Sequence, residues 1–279
     1  MNRQQAMQYG EETMEIIKRG EYSIKGKTVS ILKELNDSIY GSALYKPEEL
    51  DELLNQEFQN QIESTVIEVT GETTLEASKR LLDEGYIQVS ALNFASAKNP
   101  GGGFLTGSRA QEESIARSSG LYPAIAQMKE MYDYNRGRKT GMYSDYMIFS
   151  PKVPVFRHDK GYLLEKPYLL SVITSPAVNA GIVREREKEK VKNINEVMLV
   201  RIKKILAIAK AQKQEALVLG AFGCGVFGNN PVAVAKLFKE ALEDASFKNQ
   251  FKKIVFAVYE GTPQKPMLST FKQSLQIRK

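Results

Sequence analysis

Histidine and cysteine occur only once each in the 279-residue sequence, which limits the chemistry open to its side chains. A Ser-His-Asp or Cys-His catalytic site would have to use His158, in the polar, turn-like stretch PVFRHDKGY. One histidine and one cysteine also disfavour a zinc site, because such sites take several of these ligands. Catalysis by this chain is therefore expected to rest on carboxylates, backbone amides and hydroxyls.

Long apolar runs are absent as well. No stretch approaches the roughly 20 residues needed to cross a bilayer, and the N-terminal MNRQQAMQYGEETMEIIKRG lacks the apolar block of a secretory signal. A single cysteine cannot form an internal disulfide, which makes a reducing compartment the default. The sequence therefore predicts a cytoplasmic protein with no membrane partner.

Acidic residues are outnumbered by basic ones, 33 against 39, and the net charge of +6 favours anionic partners without naming one. Much of the excess lies in REREKEKVK, residues 184–192, whose alternating signs are typical of a solvated helix face. No pattern of interleaved aromatic and basic residues supports base stacking. We therefore expect no direct sequence-specific binding of nucleic acid.

Strand-like and helix-like segments alternate from about residue 61 onward. The segments STVIEVTG, QVSALNFAS and EALVLGAFG have strand patterns, and a helical pattern follows each of them. A long amphipathic helix is predicted over about residues 184–212. This alternation indicates an α/β sheet with helices on both faces. We predict one domain over residues 61–279, preceded by a mostly helical N-terminal extension, residues 1–60, packed on it.

The segment NPGGGFLTGSRAQEE, residues 99–113, places three glycines ahead of two adjacent glutamates. Gly101, Gly102 and Gly103 let the backbone approach a ligand without obstruction by a Cβ atom. Glu112 and Glu113 begin a predicted helix, where carboxylates stabilise the N-terminus by about 0.3–1 kcal/mol. They also suit glycosidic chemistry, in which a carboxylic acid protonates a leaving oxygen and then activates water. Their position alone does not choose between helix cap and catalyst.

The segment GAFGCGVFGNNP, residues 220–231, is a second glycine-rich turn between a strand and a helix. Gly223, Gly225 and Gly228 match G-x-G-x-x-G, but only about fifty residues follow, too few for a nicotinamide-binding architecture. Backbone amides in such a turn suit an anion, and a diphosphate is the natural occupant. Both glycine loops follow predicted strands, so both are expected to face one crevice at the carboxyl edge of the sheet.

The segment LNFASAKNPGGGFLTGSRAQEESIARSSGLY resembles the bacterial-type poly(ADP-ribose) glycohydrolases, whose signature is GGG, six to eight residues, then QEE. Here seven residues separate Gly103 from Gln111. GAFGCGVFGNNP is similar to the diphosphate loop of that family, and LNFAS to the VNAAN segment of macrodomains, with Asn93 and Ser96 at its two asparagines. The resemblance covers about residues 65–260, and the N-terminal helices are similar to the family's accessory segment.

The resemblance implies a macrodomain-like, three-layer α/β/α fold with a mixed, mostly parallel sheet. It further implies hydrolysis of the ribose–ribose O-glycosidic bond of poly(ADP-ribose), acting from the polymer end to release ADP-ribose. Glu113 would be the general acid and base, while Glu112 and Asn93 would hold ribose hydroxyls. The glycines of the first loop would approach the diphosphate and the distal ribose, and residues 223–228 would cradle the phosphates. The resemblance implies no metal and no cofactor.

The ligand-binding residues implied by the resemblance are Asn93, Gly101, Gly102, Gly103, Gln111, Gly223, Cys224, Gly225, Val226, Phe227 and Gly228. Phe227 would cover the ribose, although a core phenylalanine is the alternative from the residues alone. Cys224, between two glycines, is interpreted as a small loop residue and not as a nucleophile. Glu72 aligns loosely with an acid that meets adenine in other macrodomains, and a helix-start glutamate is its alternative.

Two other functions are compatible with these motifs, because macrodomains of one fold host several reactions. The chain could hydrolyse mono-ADP-ribosylated protein, nucleic acid or a small metabolite instead of the polymer. It could also be a non-catalytic module that binds ADP-ribose or ADP-ribosylated macromolecules. The paired glutamates argue against such a module, since binding alone needs no general acid.

Overall fold

The computed structural model describes residues 1–56, 62–261 and 263–275. The predicted domain boundary at residues 60 and 61 lies outside these ranges.

Helices form where apolar residues recur at helical spacing, and several begin at the caps that the sequence offers. Asn2 and Gln5 form a capping box at the first helix, which has Gly20 as its C-cap. Thr73 and Glu76 form a second capping box at the helix that begins at Thr74. The helices of the described residues are α1 Arg3–Arg19, α2 Leu32–Gly41, α3 Pro47–Leu54, α4 Thr74–Asp83, α5 Gln111–Ser118, α6 Leu121–Ala126, α7 Lys129–Gly137, α8 Ala180–Arg186, α9 Ile194–Ala211, α10 Pro231–Glu243 and α11 Pro266–Ser274.

Strands form where apolar and β-branched residues run together between turns. The strands of the described residues are β1 Glu21–Ile24, β2 Lys27–Ser30, β3 Ala43–Tyr45, β4 Val66–Thr70, β5 Val89–Phe94, β6 Met147–Arg157, β7 Leu163–Ser175, β8 Ala216–Leu219 and β9 Lys253–Ala257. β1 and β2 pair as a separate hairpin.

The other strands form one mixed sheet in the order β3-β6-β7-β5-β8-β9-β4. Strands β7, β5, β8, β9 and β4 run parallel to one another, whereas β6 runs antiparallel to β7 and to β3. β5, β8 and β9 are almost wholly buried, as expected for parallel strands covered on both faces. This arrangement confirms the predicted α/β/α fold class.

Each face of the sheet has its own apolar core, because side chains alternate along every strand. On β9, Ile254 and Phe256 pack with α9, α10 and α11, while Val255 packs on the opposite face with α4 to α7. Burial on both faces therefore holds the central strands rigidly. The functional loops leave from the carboxyl ends of these strands.

The N-terminal segment contributes a strand to the main sheet. β3 pairs with β6 as an edge strand, with Leu44 opposite Ile148, and Leu50 and Leu53 of α3 join one of the cores. The sequence analysis did not predict β3, because three residues carry too little periodicity to distinguish a strand. That residues 1–60 form a separate extension stays a prediction.

The prediction of a single helix over residues 184–212 is wrong. α8 ends at Arg186, a short 3₁₀ helix spans residues 188–193, and α9 begins at Ile194. Glu187 is buried between them and accepts hydrogen bonds of 2.6 Å from Gly141 N and from Thr140 Oγ1. These long-range contacts hold Glu187 in a non-helical backbone conformation. The alternating charges of residues 184–192, taken alone, predict one solvated helix face.

Within the described ranges, no helix is both long enough and apolar enough to span a membrane.

Candidate active site

The loops that follow β5, β7 and β8 lie side by side at the carboxyl edge of the sheet. Phe94 at the end of β5 contacts Phe222 after β8, with ring centroids 5.8 Å apart. A Cβ atom at Gly223 would collide with Ala177, in the segment after β7. The structure thus brings the two glycine loops to one edge because their strands are adjacent in the sheet.

Gly102 lies directly against both glutamates of α5. Its φ is +59°, and a Cβ atom there would collide with Glu113 Oε1 and lie 3.1 Å from Glu112 Oε2. The left-handed backbone and the lack of space both require glycine at this position. The sequence analysis expected the glycines to make room for a ligand. The structure shows that Gly102 also makes room for the carboxylates themselves.

Glu113 has one oxygen held by the first loop and one without a partner. Gly103 N donates to Oε1 over 3.0 Å. Oε2 is buried and has no hydrogen-bond partner among the described residues. A buried carboxylate oxygen without a hydrogen-bond partner destabilises the fold. Oε2 is therefore free to accept a hydrogen bond from a ligand hydroxyl or a water.

Glu112 is more deeply buried, with 3% of its surface exposed, and both of its oxygens have partners. Ser96 N donates to Oε2 over 2.7 Å, and Asn93 Nδ2 lies 3.4 Å from Oε1. Burial raises the pKa of Glu112 to about 8; the neighbouring charge of Glu113 adds to the rise, and the Ser96 amide opposes it. Burial therefore outweighs the hydrogen bonds from Ser96 and Asn93, which lower the pKa of this carboxyl.

Asn93 is the last residue but one of β5, lies next to Glu112 and is fully buried. Its amide nitrogen donates to Thr174 Oγ1 on the neighbouring strand β7 over 3.2 Å, at the position where the two residues are paired in register. Its Oδ1 has no partner among the described residues. Asn93 therefore presents a fixed acceptor beside Glu112, and that it holds a ribose hydroxyl stays a prediction.

Gln111 uses its side chain within the protein. Its Oε1 accepts from Phe94 N over 2.8 Å, and its Nε2 donates to Leu92 O and to Thr74 Oγ1 over 2.7 and 3.1 Å. These bonds join the start of α5 to β5 and α4. The structure therefore gives Gln111 a positioning role that the motif did not predict, and its contact with a ligand stays a prediction.

The second loop leaves several backbone amides free. Gly225, Val226 and Phe227 donate no backbone hydrogen bond to any residue of the described ranges. A Cβ atom at Gly225 would have no heavy atom within 4 Å, and Val226 is 90% exposed. Such a turn before the N-terminus of α10 can accept an anion, as predicted.

Asn229 holds the second loop to the neighbouring segment. It is 4% exposed, and its Nδ2 donates to Val178 O over 2.7 Å and to Gly223 O over 3.0 Å. Asn230 caps α10 by accepting from Ala233 N. The sequence analysis missed Asn229, although the pair of asparagines ahead of Pro231 is a cap signal that could have indicated it.

Phe227 is half-buried and lies against Tyr143, with ring centroids 5.8 Å apart. Tyr143 has a φ of +55°, and Arg201 fixes its loop by donating to Met142 O over 3.1 Å and to Pro176 O over 3.0 Å. Tyr143 carried no sequence signal, because the contact joins residues far apart in the chain. The pair forms an aromatic wall beside the free amides.

Glu72 and Cys224 are weaker candidates, and the structure gives each of them a protein environment. Arg80 holds Glu72 through two hydrogen bonds of 2.9 and 2.8 Å and lowers the pKa of its carboxyl, which supports the helix-start interpretation. Burial raises the pKa of the Cys224 thiol to about 12, so it is a poor nucleophile near neutral pH. Within the described residues, no three histidines, cysteines or acids lie together as a metal-binding group.

The fold and this site define a macrodomain-like α/β/α protein with two buried carboxyls between glycine-rich loops at the carboxyl edge of its sheet. A family model described as microbial-type PARG, catalytic domain, matches residues 10–158, which include the first glycine loop and both glutamates. The chain belongs to the microbial-type poly(ADP-ribose) glycohydrolase family and is therefore a glycosidase. The resemblance predicted from the GGG and QEE motif is confirmed.

Solved structures of the same family are similar over nearly the whole chain. Poly(ADP-ribose) glycohydrolase from Thermomonospora curvata is 42% identical, with 98% of this chain and 100% of that chain covered and a TM-score of 0.94. The enzyme from that organism bound to the inhibitor ADP-HPD is 43% identical, covering 97% and 99%, with a TM-score of 0.90. The enzyme from Deinococcus radiodurans in complex with ADP-ribose is 40% identical, covering 91% and 99%, with a TM-score of 0.81. None of the curated proteins compared with this chain matches it significantly.

Proposed function

We propose that this family member hydrolyses the ribose–ribose O-glycosidic bond of poly(ADP-ribose) from the polymer end and releases ADP-ribose, with Glu113 as general acid and base. The observation that carries the assignment is the difference between the two glutamates. Both oxygens of Glu112 are engaged by Ser96 and Asn93, whereas Glu113 has a buried oxygen without a partner. Only Glu113 has an oxygen that can exchange a proton with substrate without first losing a protein contact.

In the first step the anomeric C–O bond breaks, and its electron pair goes to the leaving ribose oxygen, which takes the proton of Glu113. In the second step water adds to the anomeric carbon and returns a proton to Glu113. Beside it, burial raises the pKa of Glu112 to about 8, so this carboxyl carries a proton near neutral pH.

Glu112 and Asn93 hold the ribose hydroxyls next to the scissile bond in this proposal. Support comes from their rigidity, because Asn93 is fixed by Thr174 and Glu112 by Ser96 N. A hydroxyl that binds here can donate to Asn93 Oδ1, which lacks a partner among the described residues. Such fixed polar groups keep the anomeric carbon close to Glu113.

The diphosphate of ADP-ribose binds between the two glycine loops. The free amides of Gly225, Val226 and Phe227 support this placement, as does the nearby N-terminus of α10. Gly101 to Gly103 line the other side, and Phe227 with Tyr143 covers the distal ribose. ADP-ribose and ADP-ribosylated macromolecules are the partners in this proposal, and a cytoplasmic location stays part of it.

The test compares Glu113→Gln with Glu112→Gln. Glu113→Gln is expected to lower ADP-ribose release from the polymer by about 10²–10⁴-fold, because proton transfer contributes that much, while calorimetry shows ADP-ribose binding close to wild type. Glu112→Gln is expected to weaken binding as well as turnover. Retained turnover in Glu113→Gln would refute the mechanism. Faster turnover of mono-ADP-ribosylated protein than of polymer, or binding without turnover of either, would favour the other two functions.

A further inference from the structure

One face of α1 runs along the segment that carries the catalytic glutamates. The buried residues of this helix are Ala6, Gly10, Thr13 and Ile16, which recur at helical spacing. Ile16 packs with the β1–β2 hairpin and Phe156. Gly10 and Thr13 instead face the first glycine loop and α5.

The first contact is with the loop between Gly103 and α5. Gly10 packs so closely that a Cβ atom there would lie 3.0 Å from Phe104 O. Arg3 Nε donates to Thr106 O over 3.1 Å, and Arg109 Nη1 donates to Met1 O over 2.6 Å. The loop that supplies the Gly103 amide to Glu113 is therefore held against α1 along its length.

The second contact is with the carboxyl end of α5. The hydroxyl of Thr13, itself fully buried, donates to Arg117 O. The same oxygen accepts from Arg157 Nε over 3.3 Å, and Arg157 pairs with Glu12 of α1 over 2.8 Å. These bonds satisfy a helix-end carbonyl that has no partner within α5. They also fix α5 one turn beyond Glu113.

Glu113 thus lies between two points that α1 holds, the glycine loop on one side and Arg117 on the other. The side chain of Arg117 connects these two points directly, because it donates to Ser108 O in the loop between Gly103 and α5. We infer that α1 is a positioning element of the active site, in which Thr13 and Gly10 set the placement of Glu113 relative to the Gly103 amide. This inference rests on the proposed role of Glu113.

Thr13→Val tests the helix-end contact, with Thr13→Ser as the matched control. Valine keeps the shape of threonine but removes the donor, whereas serine keeps the hydroxyl. Thr13→Val is expected to lower kcat for ADP-ribose release about tenfold, because small displacements of a catalytic group are costly. The Kd for ADP-ribose should stay within about twofold of wild type. Thr13→Ser is expected to recover most of the turnover.

Gly10→Ala tests the loop contact and separates positioning from packing. Alanine forms helices better than glycine. If α1 has only a structural role, Gly10→Ala should therefore be as stable as wild type or more stable, with unchanged kcat. The added methyl presses on Phe104 O, so a positioning role predicts a lower kcat without a lower Tm. Glu11→Ala, on the exposed side of α1, is the control and should turn over like wild type.

The outcomes separate this inference from the proposed function. A wild-type chain that releases no ADP-ribose from polymer would refute the proposed function. With an active wild type, unchanged kcat in Gly10→Ala and in Thr13→Val would overturn the positioning role and leave the function intact. A loss of turnover matched by an equal loss of ADP-ribose affinity, or no recovery in Thr13→Ser, would overturn it as well. If Thr13→Val does not fold, Gly10→Ala decides.

Discussion

The two glycine loops at the carboxyl edge are alike in composition but differ in what their glycines face. A Cβ atom at Gly102 would collide with Glu113, and one at Gly103 would meet Ser108 Oγ. A Cβ atom at Gly225 would meet nothing within 4 Å. The first loop has no room for side chains because the protein's own groups, the Glu113 carboxylate among them, lie against it. In the second loop Gly223 is packed against Ala177, whereas Gly225 faces an open side.

Hydrogen bonding divides the loops in the same way. The amide of Gly103 is taken by Glu113, whereas those of Gly225 and Phe227 find no acceptor among the described residues. In the proposed function, the first loop therefore organises the groups that react, and the second supplies the groups that bind. Substitutions in the first loop should change the rate of catalysis, and those in the second should change affinity.

Gly102→Ala should have the largest effect. The new methyl displaces the flexible end of Glu113, and alanine at a φ of +59° adds about 1 kcal/mol of strain, which the fold can tolerate. Turnover of polymer is expected to fall by about 10²-fold or more, because the carboxylate moves away from the bond it must protonate. Steady-state release of ADP-ribose measures this, with Tm as the check on folding. A variant with nearly wild-type kcat would show that Gly102 does not set the position of Glu113.

Glu112→Gln should change how stability depends on pH. The folded-state pKa of Glu112 lies at about 8, above its unfolded value near 4.5, so the folded state binds more protons in between. Wild-type stability should therefore fall as pH rises from about 4.5 to about 8, by at most about 1.4 kcal/mol per pH unit from this group.

Urea denaturation at pH 5, 7 and 9 measures this dependence. The free energy of unfolding should depend less steeply on pH in Glu112→Gln than in wild type, whatever the absolute stability of this variant. In a variant of the second loop, such as Gly225→Ala, the pH dependence should equal that of wild type. Parallel curves for wild type and Glu112→Gln would mean that Glu112 does not titrate with a raised pKa.

Gly225→Ala should have a moderate effect, on the affinity for ADP-ribose and not on the rate of catalysis. The methyl has space in the protein, so Tm should stay within about a degree of wild type. It narrows the approach of a diphosphate to the amides, so the Kd for ADP-ribose should rise by about 3- to 30-fold. Calorimetry measures the affinity, and kcat at saturating polymer should be close to wild type. A fall in kcat with unchanged Kd would contradict the division between the two loops.

Cys224→Ala should have the smallest effect. The thiol has a pKa of about 12 and is half-buried, so it takes no part in the reaction near neutral pH. Both kcat and the Kd for ADP-ribose are expected within about twofold of wild type. Complete loss of turnover with intact folding would instead indicate a thiol mechanism.

Local signals accounted for the alternation of strands and helices from about residue 61 onward. The strand pattern of QVSALNFAS and the helical pattern at the two glutamates correspond to β5 and α5, because both patterns depend on neighbours in the chain. Contacts that span much of the chain were not predicted, as β3 and the break at Glu187 show.

The sequence by itself determined which residues could react or bind. It contains two glycine loops, a pair of glutamates separated from Gly103 by eight residues, and one histidine and one cysteine in places unsuited to catalysis. The tertiary structure alone decided how those residues differ. Burial and the contacts of Ser96 and Asn93 engage Glu112, while Glu113 keeps an oxygen without a partner. Adjacent residues of one type have the same local signal, and only their surroundings can give them different pKa values and different roles.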